Sequence, residues 1–134
     1  MTDGTPVPYS CAHCSGPAFA TQSIAGRRLH WDVHHPCPAG PVLECGRDET
    51  PADVRRALLA DEGTHRLQLS GGTNRLAAMR VLRTWGIPLN GLTADVTGTA
   101  TEMRLLALLM ADAGVTASVQ GQGAGSGPAD ADGP

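Results

Sequence analysis

Hydrophobic and polar positions change their period several times along this chain, and each change predicts an element. Residues 65–70 alternate, with Leu67 and Leu69 on one face and Arg66 and Gln68 on the other, the pattern of a half-buried strand. Gly71 and Gly72 supply a turn, and Thr73 follows as an N-cap whose hydroxyl accepts from the free amides of the next turn. Leu76, Met79 and Leu82, with Ala78 and Val81, then recur at helical spacing as one apolar stripe flanked by Arg75, Arg80 and Arg83, and Gly86 ends the helix. Upstream, Thr50-Pro51-Ala52-Asp53 starts a helix. Thr50 caps it, Pro51 takes the first position, where a missing amide costs nothing, and Asp53 lies near the positive end of the dipole. Val54, Ala57, Leu58 and Leu59 follow, and this helix ends near Gly63. Downstream, Pro88 and the Asn90-Gly91 pair favour turns, and Leu92, Ala94 and Val96 alternate as a second strand. Thr101 or Thr99 caps a helix over 102–113, with Met103, Leu106, Leu109 and Met110 inward and Gly114 at its end. Residues 115–119 alternate once more as a third strand.

Residues 50–119 thus read helix, then strand-helix-strand-helix-strand. This predicts an α+β domain in which a three-stranded sheet is covered by two or three helices. Ahead of it, 11–46 forms a smaller unit. Residues 18–24, a turn at Gly26 and residues 29–34 predict the two strands of a hairpin, and 46–49 is a polar joint. Residues 1–10, polar and proline-bearing, read as a disordered lead-in, and 120–134, built only of Gln, Gly, Ala, Ser, Pro and Asp, as a disordered tail.

Composition narrows the picture. A chain of 134 residues makes one domain or two small ones. Trp31, Trp85, Tyr9 and Phe19 are its only aromatic residues, so the cores are built from Leu, Val, Met and Ala. A formal charge of -3 excludes a generally basic surface, and all ten basic residues are Arg. No apolar run spans a bilayer and nothing reads as a signal peptide, so the cytoplasm is the expected compartment. In that compartment four cysteines predict metal ligands or free thiols rather than disulfides.

Their spacing points to zinc. Cys11-Ala12-His13-Cys14 has the form of a zinc-ribbon knuckle, a Cys-x-x-Cys turn that offers two thiolates, soft charged donors, to a tetrahedral ion. The second knuckle begins at Cys37-Pro38-Ala39 but carries Gly40 where a cysteine is expected. The preferred ligand set is Cys11, Cys14, Cys37 and Cys45, with the chain folding back at Gly40 and Pro41. In the alternative set His34 replaces Cys45, and a ribbon that holds no metal is the third reading. His30, Asp32 and His34 share one face of an alternating strand, which is either the solvated side of a hairpin or, with Cys37, the material of a catalytic or metal site. His65 begins a strand and reads as a surface or capping residue.

The segment RLAAMRVLRTWGIPL (75–89) resembles the basic-apolar helix and Gly-Leu-Gly-Leu turn of the C-terminal domain of the bacterial ribosomal stalk protein. EMRLLALLMADAGVTASV (102–119) resembles that domain's closing helix, Ala-Gly turn and final strand. The chain departs from the family at Pro88, in its reduced 90–96 segment and in its cysteine-bearing head. In the family the first helix presents basic residues to the GTPase factors of translation, so the resemblance implies partner-binding roles for Arg80 and Arg83, with Gly86 at the turn.

Three function classes follow. The leading one is a non-catalytic, zinc-containing adaptor that binds a protein partner through the helix edged by Arg75, Arg80 and Arg83. Next is nucleic-acid or ribosome binding, with Arg27, Arg28 and His30 on phosphate and Trp31 as a stacking ring. The last is a small enzyme using His30, Asp32 and His34. No Gly-rich phosphate loop, nucleophile elbow or helically spaced carboxylate pair accompanies those three residues.

Overall fold

The computed structural model describes residues 6–10, 16–70, 74–85 and 96–121. Its elements in order are β1 (Val7–Ser10), β2 (Pro17–Ala25), β3 (Arg28–His35), β4 (Val42–Arg47), α1 (Ala52–Glu62), β5 (His65–Leu69), α2 (Arg75–Trp85), β6 (Val96–Gly98), α3 (Ala100–Asp112) and β7 (Ala117–Gly121). The class is α+β, with two antiparallel sheets, one of order β1-β2-β3-β4 and one of order β6-β5-β7. The chain divides into two units, 1–62 and 63–134.

In the first unit the expected two-stranded hairpin is the middle of a four-stranded meander. Part of the expected lead-in is β1, because Val7 and Tyr9 alternate with Pro8 and Ser10, and an edge strand tolerates a proline. The alternation of β2 and β3 sends Ala18, Ala20 and Val33 inward, where they meet Val7. Between these strands Gly26 and Arg27, both at positive φ, form a two-residue turn of the hairpin type.

The helix α1 belongs to this unit, not to the one that follows it. Val54 and Leu58, fully buried, complete the core of Val7, Ala18, Ala20 and Val33. The physical reason is area: a thin sheet rich in alanine and valine needs an apolar lid, and α1 carries the larger side chain. Its start also differs from expectation. The Pro51 carbonyl accepts from the Arg55 amide at 2.9 Å, so Pro51 stands at the cap, while the Thr50 hydroxyl accepts from the buried Gln22 carboxamide at 2.9 Å.

In the second unit Leu67 of β5, Ala78 and Leu82 of α2, and Met103, Leu106 and Met110 of α3 bury one another together with Val115. Of the two candidate caps of α3, Thr99 is the one used. Its hydroxyl accepts from the Glu102 amide and the Glu102 carboxylate accepts from the Thr99 amide, each at 3.0 Å, a reciprocal capping box. The third strand begins at Ala117, two residues later than its alternation suggests. Thr73, Gly86 and Leu92 lie outside the described residues; at the start of α2 the Asn74 side chain accepts from the Ala77 amide at 3.2 Å. Leu76, expected inside, is 60% exposed, since the buried stripe is set by Ala78 and Leu82 and Leu76 projects from another side of the helix.

Two substitutions test these assignments. Leu58→Ala removes the large side chain of the α1 lid and is expected to cost about 2–5 kcal/mol in urea unfolding, with faster amide exchange in β1. A Cβ at Gly46 would stand 2.6 Å from the Trp31 indole nitrogen, so Gly46→Ala is expected to cost about 1–3 kcal/mol of stability, read as a lower urea midpoint.

Candidate functional site

The meander places the ends of its strands in a definite order. β1 ends at Ser10 opposite Pro17, where β2 begins, and β3 ends at His35, beyond the rung Phe19↔His34. The chain therefore leaves β1 at the same end of the sheet at which β3 gives way to the loop of Cys37. Cys11 and Cys14, which follow Ser10 in sequence, lie outside the described residues. In the Cys37 loop the Gly40 amide donates to the Cys37 carbonyl at 3.0 Å. The turn of a second knuckle is thus formed, but Gly40 brings no sulfur to it.

Cys37 is half-buried and packs beside the core of Val7, Ala20 and Val33. Cys45 is exposed on β4, directly opposite Asp32. It lies on the outer face, because its neighbour Glu44 reaches the buried His35 on the inner face. Cys45 stands three strand rises, about 10 Å, from the end of the sheet at Val42. Cys45 thus stands on the outer face, whereas Cys37 packs against the core cluster. His34 occupies the rung opposite Phe19 and Leu43, next to that end and also on the outer face. Among the described residues no group of three or more His, Cys, Asp and Glu is placed to hold a metal ion.

His30, Asp32 and His34 do share a face, as their spacing predicts, with Ser23, Thr21 and Phe19 beside them on β2 and Arg47, Cys45 and Leu43 on β4. Cys37 follows β3 in the loop beyond His35 and packs against the core cluster. The three make no hydrogen bonds to one another. Trp31 points the other way, to the inner side, where its ring lies over Gly46. Arg28 donates through two nitrogens to the two carboxylate oxygens of Asp48, which raises the guanidinium's pKa and lowers the carboxyl's.

Inside the same end of the sheet lies a polar chain whose sequence positions give no hint of one another. The buried His35 ring bonds through Nε2 to Glu44 Oε1 at 2.9 Å. Tyr9 stands edge-on to His35, ring centroids 6.3 Å apart, and its hydroxyl donates to Asp53 at the start of α1. That hydrogen bond holds the Asp53 carboxyl below its ordinary value of 3.8, with the Val54 amide adding to the effect. Only strand pairing between β3 and β4 brings His35 to Glu44, so recognising 42–47 as a strand was the one signal available.

On α2, Arg75, Arg80 and Arg83 are all exposed, as their flanking positions predict. None of them has an acidic partner among the described residues. Leu76, Arg80 and Arg83 stand at i, i+4 and i+7, so the exposed leucine is continuous with the cationic edge. Arg27, held at positive φ in its turn, is exposed, whereas Gly86 lies outside the described residues.

Asp53 yields a pH prediction. A depressed folded pKa stabilises the fold above the unfolded value, and that contribution disappears as the pH falls through the folded value. Tyr9→Phe is expected to return the Asp53 pKa toward 3.8 in a carbon-13 NMR titration and to reduce the loss of stability below that pH. An unchanged titration would show that Tyr9 does not set this carboxyl.

Compared with protein-family models, with curated proteins and with solved structures, the chain has no match in any of the three.

Proposed function

We propose that this protein is a non-catalytic adaptor whose docking element is the outer edge of α2 and whose cysteine-bearing head is stapled by a structural zinc ion. The observation that carries this reading is Leu76, a large apolar side chain 60% exposed in line with Arg80 and Arg83 and one residue from Arg75. An Arg row alone is commonly a solvated face; an exposed leucine within it adds the apolar anchor that protein interfaces use. Guanidinium groups complement carboxylates in two-pronged bonds, so the fitting partner surface is acidic with an apolar recess. The resemblance of 75–89 and 102–119 to the ribosomal stalk domain makes a translation factor or a comparable assembly the first partner to try.

Zinc is the metal that thiolate and imidazole donors suit. Cys11, Cys14 and Cys37 would supply three ligands. Cys45 stands farther down β4 from the end of the sheet than His34 does on β3, which favours His34 as the fourth, reversing the order of preference drawn from spacing. Such an ion would supply folding free energy to a unit of about 60 residues, a size at which a hydrophobic core is marginal. The nucleic-acid reading loses its stacking ring to the inner face, and Arg28 is engaged by Asp48.

Two measurements test the proposal. Metal analysis is expected to give one zinc per chain, lost in Cys37→Ser and kept in Cys45→Ser. Affinity capture on the native chain is compared with capture on the double variant Leu76→Asp, Arg80→Glu. The expected result is a defined set of proteins retained by the native chain and lost at least ten-fold by a variant whose circular dichroism is unchanged; identical capture by both would remove α2 as the docking element.

A further inference from the structure

The four-stranded sheet has two edges, and they are not alike. β1 has four residues and carries Pro8, which cannot donate a hydrogen bond. β4 has six, pairs with β3 rung for rung from Arg47 to Val42, and contains no proline and no lysine. Leu43 is 66% and Val42 40% exposed. Proline and lysine, two of the devices that blunt an edge strand, are thus missing from β4, and its one inward charge, Glu44, is engaged by His35.

The hydrogen-bond phase of this edge can be read from its end. The Asp48 amide donates to the Leu29 carbonyl at 2.6 Å, one rung beyond His30↔Arg47. Opposed pairs in an antiparallel ladder alternate between bonded and unbonded, so Val42, Glu44 and Gly46 direct their amides and carbonyls toward β3. Those of Leu43, Cys45 and Arg47 point away from the sheet, and among the described residues they meet nothing.

We propose that a second copy of this chain fills the edge, its β4 pairing antiparallel with the first about a two-fold axis through Cys45. Symmetry permits only registers that keep both copies' inner faces on the same side, which restricts the axis to a residue position. An axis at Cys45 sets Cys45 against its own copy and Leu43 against Arg47, so the outward amides and carbonyls of all three residues find partners. Glu44 then faces Gly46, and the Arg47 stem lies along Leu43. An axis at Glu44 would set two carboxylates face to face, and one at Gly46 would set Glu44 against Asp48. An axis at Val42 or Leu43 would set an outward-facing residue against Pro41, which has no amide to donate, and one at Arg47 would set two guanidinium groups face to face. The strand is thus complementary to itself in one register, which selects a second copy over an unrelated extended segment.

The test is sedimentation of the full chain under reducing conditions, from about 10 µM to about 1 mM, the range that a small interface requires. The expected mass rises with concentration from 13.8 kDa toward twice that value. A short bis-maleimide is expected to join Cys45 to Cys45, identified by peptide mass spectrometry. Leu43→Lys, which places a second cation beside Arg47 of the other copy, is expected to weaken self-association at least ten-fold with unchanged circular dichroism. Cys45→Ser should leave the dimer in place. A chain that stays monomeric to 1 mM overturns the proposal. So does a dimer indifferent to Leu43→Lys, one cross-linked only through other cysteines, or one that dissolves with Cys45→Ser, since a metal or thiol bridge through Cys45 would then hold it.

Discussion

The register of β3 between its two neighbours is the constraint on which the first unit depends. Val33 lies opposite Ala20 on one side and Glu44 on the other, and this one alignment sends Leu29, Trp31, Val33 and His35 inward together. A slip of one residue would reverse every side chain of the strand. It would expose Val33 and bury Asp32 and His34. The same alignment brings Trp31 over Gly46, where no larger residue fits, and His35 to Glu44, which satisfies a buried imidazole. Core packing and polar satisfaction therefore specify the same register.

Both units are small and each is closed by helices. In the first, the sheet contributes side chains no larger than valine to the buried cluster, and the α1 pair Val54 and Leu58 adds the rest. In the second, α2 gives Ala78 and Leu82 while α3 gives Met103, Leu106 and Met110. Units of this size bury a modest share of their surface, so local devices carry weight. The Thr99–Glu102 capping box, the Asn74 cap and the Gln22–Thr50 bond are examples, each joining polar groups that would otherwise be lost to burial or left open at a helix end.

What remains for partners lies away from these cores. On α2 the buried stripe is narrow, which leaves Leu76 outside and aligns it with two guanidinium groups. On the first sheet the outer face collects His30, Asp32, His34 and Cys45, chemically capable groups that are spread along strands rather than converged on a point. Strand geometry explains this: neighbours two apart on one strand stand about 6.6 Å from each other, beyond the span of one ligand shell unless side chains lean together.

Much was legible in the sequence because local pattern and local chemistry agree. The alternation of 65–70, the stripe of Ala78 and Leu82, the glycine-closed helix ending near 113, the turn at Gly26 and the shared face of His30, Asp32 and His34 all follow from period and turn preference, which act over a few residues. The α+β class follows from the same signals. Tertiary structure decided what depends on distant partners. Only pairing turns 42–47 into a strand, joins His35 to Glu44 and places Cys45 on the outer face. Only burial decides that α1 covers the first sheet, that Leu76 stays outside and that Trp31 turns inward, because each outcome is a competition for apolar area between elements far apart in the chain.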